Sequence, residues 1–214
     1  KNKAYDLLNK SLDIDSDLLE SKLILAKSYL HSRDSNGINA CKDLLKEAEK
    51  MGNNKILAET LRLLGHNSLF KRDFHSGITY FERSLLISNE INDKKNIADS
   101  LCHLAWSYAY ADVRNHHKVI KFFEKGYSIF KELNDFDALV GTCLDLGYSY
   151  MHINGDLEKS LEYYTLSNTI SIEQNQKNLG LICGSLGLGT YYTYTGDFIK
   201  GDNYLEQSID ISNK

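Results

Sequence analysis

The stretch DLGYSYMHINGDLEKSLEYY, residues 145–164, carries two apolar stripes at helical spacing, broken at Asn154-Gly155-Asp156. Glycine accepts the backbone turn that ends a helix, and an aspartate after it suits the positive end of the next helix. The stretch predicts helix, turn, helix. A worn copy returns at 186–205, LGLGTYYTYTGDFIKGDNYL, with Gly196-Asp197 at its break.

The Leu146-Gly147 pair has further counterparts at Leu25-Ala26, Leu64-Gly65, Leu104-Ala105 and Leu188-Gly189, spaced 39, 40, 42 and 42 residues apart. The second half repeats in step: Phe81, Phe123, Tyr164 and Leu205 are each followed three residues later by Ser84, Gly126, Ser167 and Ser208. Between copies lie polar junctions, KMGNNK, NEINDKKN, KELNDFD and EQNQKN, which read as helix ends and turns. First helices are expected at 17–32, 54–71, 94–111, 136–153 and 177–194, and second helices at 36–51, 74–91, 116–133, 157–174 and 198–212. A lone helix is expected at 1–14. One helix pair cannot bury its apolar face alone, but stacked pairs can, so the expected fold is an all-α superhelical solenoid. It divides into a half repeat, 1–15, and pairs at 16–53, 54–93, 94–135, 136–176 and 177–214, all in one domain.

Composition agrees and excludes other classes. The chain has no proline, which favours uninterrupted helices. A net charge of −4 with no basic block gives nucleic acid little to hold. No apolar run reaches the roughly 18–20 residues that span a bilayer, so membrane insertion is not expected. Cys41, Cys102, Cys143 and Cys183 lie far apart without CxxC spacing, which suits reduced thiols in a cytoplasmic protein. The chain opens on Lys1 inside a helical pattern and reads as a fragment of something longer.

These residues resemble the tetratricopeptide repeat (TPR) family. The family pattern places a small residue after leucine, an aromatic three further on, then Gly-Asp-aromatic, a small residue, an aromatic and another small residue. Gly147, Tyr150, Gly155-Asp156, Ser160, Tyr164 and Ser167 follow it, as do Gly189, Tyr192, Gly196-Asp197-Phe198, Gly201 and Ser208. Ala105, Tyr108, Phe123 and Gly126 follow it in part. The period near 40 and the missing terminal proline resemble the long-repeat branch, found in kinesin light chains, peptide-pheromone-responsive bacterial regulators and bacterial sensor regions. The resemblance implies a right-handed superhelix whose first helices line a concave groove for peptides or partner helices.

On the helix at 94–111, Asp99, His103, Trp106 and Tyr110 share one face, opposite an apolar stripe of Ala98, Leu101, Ala105 and Tyr108. The matching face is Glu59, Leu63, His66 and Phe70 in 54–71, with Arg62 beside it. It is Gly141, Asp145, Tyr148 and His152 in 136–153, and Cys183, Gly187, Thr190 and Tyr194 in 177–194. The candidate partner groove is therefore Glu59, Arg62, His66, Phe70, Asp99, His103, Trp106, Tyr110, Asp145, Tyr148, His152, Thr190 and Tyr194. Rings give contact area at low entropic cost; the alternative is packing against the next repeat. Glu20, Glu59 and Asp99 form an acidic ladder that favours a basic partner or simply caps the helix dipoles. The chaperone-tail clamp of the family is not expected, because only Lys27 and Arg62 stand in suitable places.

Other chemistry finds no support in the spacing. His116-His117 are neighbours whose side chains diverge, and no HxxxH or HExxH occurs, so no metal is expected. GSLGLG, 184–189, lies inside a predicted helix without a preceding strand, so no nucleotide cofactor is expected. Gly180, Gly184 and Gly187 share a face and imply close approach by a neighbouring helix or a ligand. No nucleophile, base and orienting group converge, so the chain is not expected to be an enzyme. The expected function is protein or peptide binding. The alternative is a sensor or regulatory region of a larger signalling protein (a kinase, cyclase or transcription regulator), with homodimerisation through exposed end helices.

Overall fold

The computed structural model describes residues 19–31, 36–111, 116–174 and 179–212, and they form helices and short turns. The half repeat at 1–15 and three of the expected inter-helix turns, at 32–35, 112–115 and 175–178, lie outside the described residues. The chain divides into two compact units, Lys1–Ala111 and Asp112–Lys214. The first holds α1 (Leu19–His31), α2 (Asn36–Met51), α3 (Asn54–Phe70), α4 (Phe74–Glu90) and α5 (Lys94–Ala111). The second holds α6 (His116–Leu133), α7 (Phe136–Ser149), a π-helical turn (Tyr150–Asn154), α8 (Leu157–Glu173), α9 (Leu179–Thr195) and α10 (Phe198–Ser212). Within each unit, helices adjacent in sequence pack on one another, and successive first helices lie side by side: α1 with α3 and α3 with α5, then α7 with α9. Each unit is an all-α solenoid stack.

Each described inter-helix turn is built from one dipeptide. The first residue takes a left-handed backbone: Gly52, Arg72, Asn92, Asn134, Gly155 or Gly196. The second is Asn or Asp, and its N–H reaches back to close the preceding helix. The bonds are Asn53 to Ala48 O at 3.0 Å, Asp73 to Ser68 O and Asp93 to Ser88 O at 2.9 Å, Asp135 to Phe130 O at 3.0 Å, and Asp197 to Tyr192 O at 2.9 Å. This is the Schellman closure of a helix end. The same side chain then caps the next helix: Asn53 accepts from Ile56 N at 3.1 Å, Asp135 from Ala138 N at 3.2 Å and Asp156 from Lys159 N at 3.0 Å. One residue thus stops one helix and starts the next, and each cap contributes about 1 kcal/mol.

At 150–156 the closure differs. Asp156 N–H bonds Tyr150 O at 2.9 Å, one residue further back than in the other turns. The expected α-helix to 153 therefore ends at Ser149 and continues as the π turn. The sequence accounts for this. Eight residues separate Leu64 from Arg72, and eight separate Leu188 from Gly196, but nine separate Leu146 from Gly155. The extra residue is absorbed as a wider turn.

The Leu-Gly signature has a steric cause. A Cβ on Gly65 would stand 2.8 Å from the Phe81 ring, one on Gly147 would stand 2.7 Å from Tyr164, and one on Gly189 would stand 2.8 Å from Leu205. In each hairpin the large residue of the second helix is seated on the bare backbone of the first. Phe81 and Tyr164 are buried. Buried hydroxyls fasten the same interfaces: Ser84 donates to Ala58 O at 2.7 Å, Ser160 to Gly147 O at 2.8 Å and Ser167 to Val140 O at 3.1 Å. Gly184 and Gly187 have the same explanation between α8 and α9, since a Cβ would meet Asn168 Cα at 2.6 Å and Tyr164 at 2.5 Å. The expected close approach is by a neighbouring helix.

Helix propensity alone favours alanine over glycine by about 1 kcal/mol. Gly141 has no atom within 4 Å of an added Cβ, so Gly141→Ala is expected to stabilise by about 0.5–1 kcal/mol. Gly65→Ala and Gly147→Ala are expected to destabilise by about 1–3 kcal/mol, because the added methyl meets a buried ring. Urea unfolding of the three variants checks the opposite signs.

Candidate functional site

In the first unit the acidic ladder meets cations from this chain. Glu59 pairs with Lys27 of α1, and the Arg62 guanidinium lies 3.8 Å from Glu59 and 3.9 Å from Asp99. Arg62 Nε also donates to Asn96 Oδ1 at 3.0 Å. Arg62, Glu59 and Asp99 are each about one-fifth exposed, so the network joins α1, α3 and α5 at a partly desolvated face. Lys27 and Arg62 answer Glu59 and Asp99 there, charge for charge.

Beyond that network the rings begin. His66 meets Phe70 edge-on at 4.8 Å and His103 at 5.1 Å. His103 stacks on the buried Phe81 at 5.0 Å, and its Nδ1 lies 2.6 Å from Asp99 O, the geometry of an imidazole N–H donating to that carbonyl. Burial pushes His103 down to about 4, despite the hydrogen bond to Asp99 O. Desolvation and the Arg62 charge lower His66 as well. Trp106 stacks on Tyr110 at 5.5 Å, and Tyr110 stacks on Phe74 at 5.4 Å. Phe74 comes from α4, a second helix, so inspection of first-helix faces alone does not find it.

In the second unit, Tyr148 lies 4.4 Å from His152, and His152 meets Tyr194 at 5.4 Å. The π turn carries His152, so the widened turn sets this ring between α7 and α9. Asp145 stands one turn before Tyr148, and its charge is felt by Cys143, Cys183 and Tyr164. Thr190 is turned back on its own helix, its hydroxyl donating to Leu186 O at 2.8 Å.

A different set of tyrosines is structural. Tyr150 stacks on Tyr163 at 5.6 Å beneath Lys159, and Tyr192 stacks on Tyr204 at 5.7 Å beneath Lys200. The Tyr150 hydroxyl donates to Glu124 at 2.6 Å, as Tyr108 donates to Glu82 at 2.9 Å, 42 residues earlier. Burial and the Glu124 carboxylate raise Tyr150 above the ordinary phenol range. Among the described residues no group of three His, Cys, Asp or Glu could hold a metal, and no helix is long and apolar enough to cross a membrane.

No protein-family model matches the sequence, and no curated protein does. Solved structures match its fold. BtubC (BKLC) from P. vanneervenii superposes with a TM-score of 0.78 at 16% identity, over 98% of this chain and 87% of that one. The apo form of RapI gives 0.70 at 16%, over 99% and 90%. NprR, solved in complex with its cognate peptide NprX, gives 0.67 at 16%, over 100% of this chain and 64% of that one. The fold is that of the TPR-type helical repeats.

Viewed as TPR-type hairpins, eight of the candidate residues fall into two registers. They stand two and six residues after the leucine of the last four Leu-small pairs: His66 and Phe70, Trp106 and Tyr110, Tyr148 and His152, Thr190 and Tyr194. Seven of these eight positions carry a ring. The second of each pair reaches solvent wherever it is tyrosine or phenylalanine: Phe70 is 73% exposed, Tyr110 61% and Tyr194 57%.

The histidine pair gives the first unit a pH dependence of known sign. Between pH 6.5 and about 4 the unfolded chain takes up a proton at residue 103 that the folded chain refuses, so stability falls as pH falls through that window. The slope is about 1.4 kcal/mol per pH unit at its steepest. Urea midpoints of wild type are expected to drop more between pH 7 and 5 than those of His103→Gln; equal drops would contradict the neutral imidazole.

Proposed function

We propose that this chain is a protein- or peptide-binding scaffold, gripping its partner through the rings on the open faces of its first helices. One observation carries the reading: rings recur at two fixed registers where the core does not require them. The core rings are Phe81, Phe123, Phe130, Tyr150 and Tyr164, all buried. Phe70, Tyr110 and Tyr194 sit more than half in water, and Tyr148 is 46% exposed. Exposed rings add little to folding, yet they supply rigid contact area to a partner. NprR, of like fold, was solved with a peptide bound, and this supports the reading without fixing the partner.

Selection of displayed random peptides on the immobilised chain, followed by calorimetry, tests the proposal. Binding in the micromolar range corresponds to about −8 kcal/mol. Trp106→Ala and Tyr148→Ala, tested separately, are each expected to weaken peptides bound at their own unit by about ten-fold or more while leaving the helical circular dichroism unchanged. Full affinity in both variants would contradict the ring faces as the binding surface.

A second reading, pairing of two copies through α10, is supported by the exposed Phe198, Ile199 and Ile209 on that helix. Sedimentation over a hundred-fold concentration range, on the order of micromolar to 0.1 mM, is expected to show a dimer; a monomer throughout would end it.

A further inference from the structure

The two units differ in how their first helices are charged. In the first unit, α3 and α5 carry Lys55, Arg62, Lys94 and Lys95, and the carboxylates Glu59 and Asp99 have Arg62 and Lys27 beside them. In the second unit, α7, the π turn and α9 carry Asp137 and Asp145, one histidine, and no lysine or arginine. The face that bears Tyr148, His152 and Tyr194 therefore has negative charge and ring faces but no cation on the helices that build it.

The chain itself shows what chemistry tyrosine faces accept. Lys159 lies 4.8 Å over the Tyr150 ring and Lys200 lies 5.0 Å over Tyr192. In both cases the lysine comes from the following second helix, three residues after its capping aspartate. That lysine serves the tyrosine register that stacks between the helices of a hairpin. Tyr148 and Tyr194 stand at the two flanking registers, two residues before and after that one, about 200° around the helix from it.

The π turn points to the same place. The hairpin of α7 and α8 carries one residue more than those of α3 and α9, and it spends that residue on a widened turn that seats His152 between Tyr148 and Tyr194. π turns are rare, and they recur at functional sites.

We propose that the Tyr148–His152–Tyr194 cluster, with Asp145 one turn away, receives a lysine or arginine side chain of the bound peptide. The cation lies over a tyrosine face, as Lys159 does over Tyr150, and Asp145 supplies the opposite charge. His152 is the positioning residue that holds the two tyrosines apart at the width of the side chain. This inference rests on the peptide-binding reading and narrows it to a basic ligand at the second unit.

The test uses the peptides selected on the full chain, resynthesised with lysine acetylated and arginine replaced by citrulline. The basic forms are expected to bind about ten-fold or more tightly than their neutral forms. That difference is expected to collapse in Tyr148→Ala, Tyr194→Ala and Asp145→Asn. Tyr194 is mostly exposed, so its variant folds even if Asp145→Asn does not. Deleting Asn154 restores the eight-residue spacing; the variant is expected to melt no lower than wild type and to lose the preference. Equal binding of basic and neutral peptides, or a preference that survives in Tyr148→Ala and Tyr194→Ala, would overturn this inference and leave peptide binding standing. Failure to select any peptide would overturn the peptide-binding reading and this inference with it.

Discussion

A large side chain resting on a glycine is the contact on which the hairpins α3–α4, α7–α8 and α9–α10 depend. Phe81 on Gly65 and Tyr164 on Gly147 bring two helices to a separation that no side chain at the glycine would permit. The approach is close enough for Ser84 and Ser160 to donate across the gap to first-helix carbonyls. Burying a side chain of this size contributes about 3 kcal/mol or less by area, and truncating it leaves a cavity costing about 3–5 kcal/mol. The glycine gives up roughly 1 kcal/mol of helix propensity in return. The balance favours the glycine because close packing, not propensity, holds short helices together in water.

The turns convert that contact into a stack. A left-handed residue followed by Asn or Asp fixes both the end of one helix and the start of the next, leaving little freedom in the angle between them. Repetition of this dipeptide about every 20 residues keeps first helices side by side within each unit. Their open faces therefore present equivalent positions at regular intervals. Rings recur at those positions in each unit, at seven of the eight places that follow the last four Leu-small pairs.

Most of this was legible from residue spacing. Helix limits followed from the Leu-small pairs and polar junctions, and α2, α5 and α6 begin and end where periodicity puts them. The π turn left a trace too, nine residues from Leu146 to Gly155 against eight from Leu64 to Arg72 and from Leu188 to Gly196, but an extra residue can equally lengthen an α-helix. What one helix wheel could not show is what neighbouring helices supply. Asp99 and Glu59 read as an acidic edge because Lys27 is 32 residues from Glu59 and Arg62 is 37 from Asp99. His103 read as an open polar residue because Phe81, on which it stacks, belongs to another helix. Phe74, on α4, is absent from the wheel of α5 for the same reason. Tertiary neighbours, not local propensity, decide which ring packs inside the hairpins and which stays in water.

The account stands on the claim that the first-helix rings form a receiving surface. Trp106 is the chain's single tryptophan and lies on that surface, stacked on Tyr110. Its fluorescence reports the surface without any substitution. On saturation with a peptide selected at the first unit, the emission is predicted to shift to shorter wavelength and acrylamide quenching to fall. Emission and quenching that stay unchanged while calorimetry shows that peptide fully bound would contradict the claim.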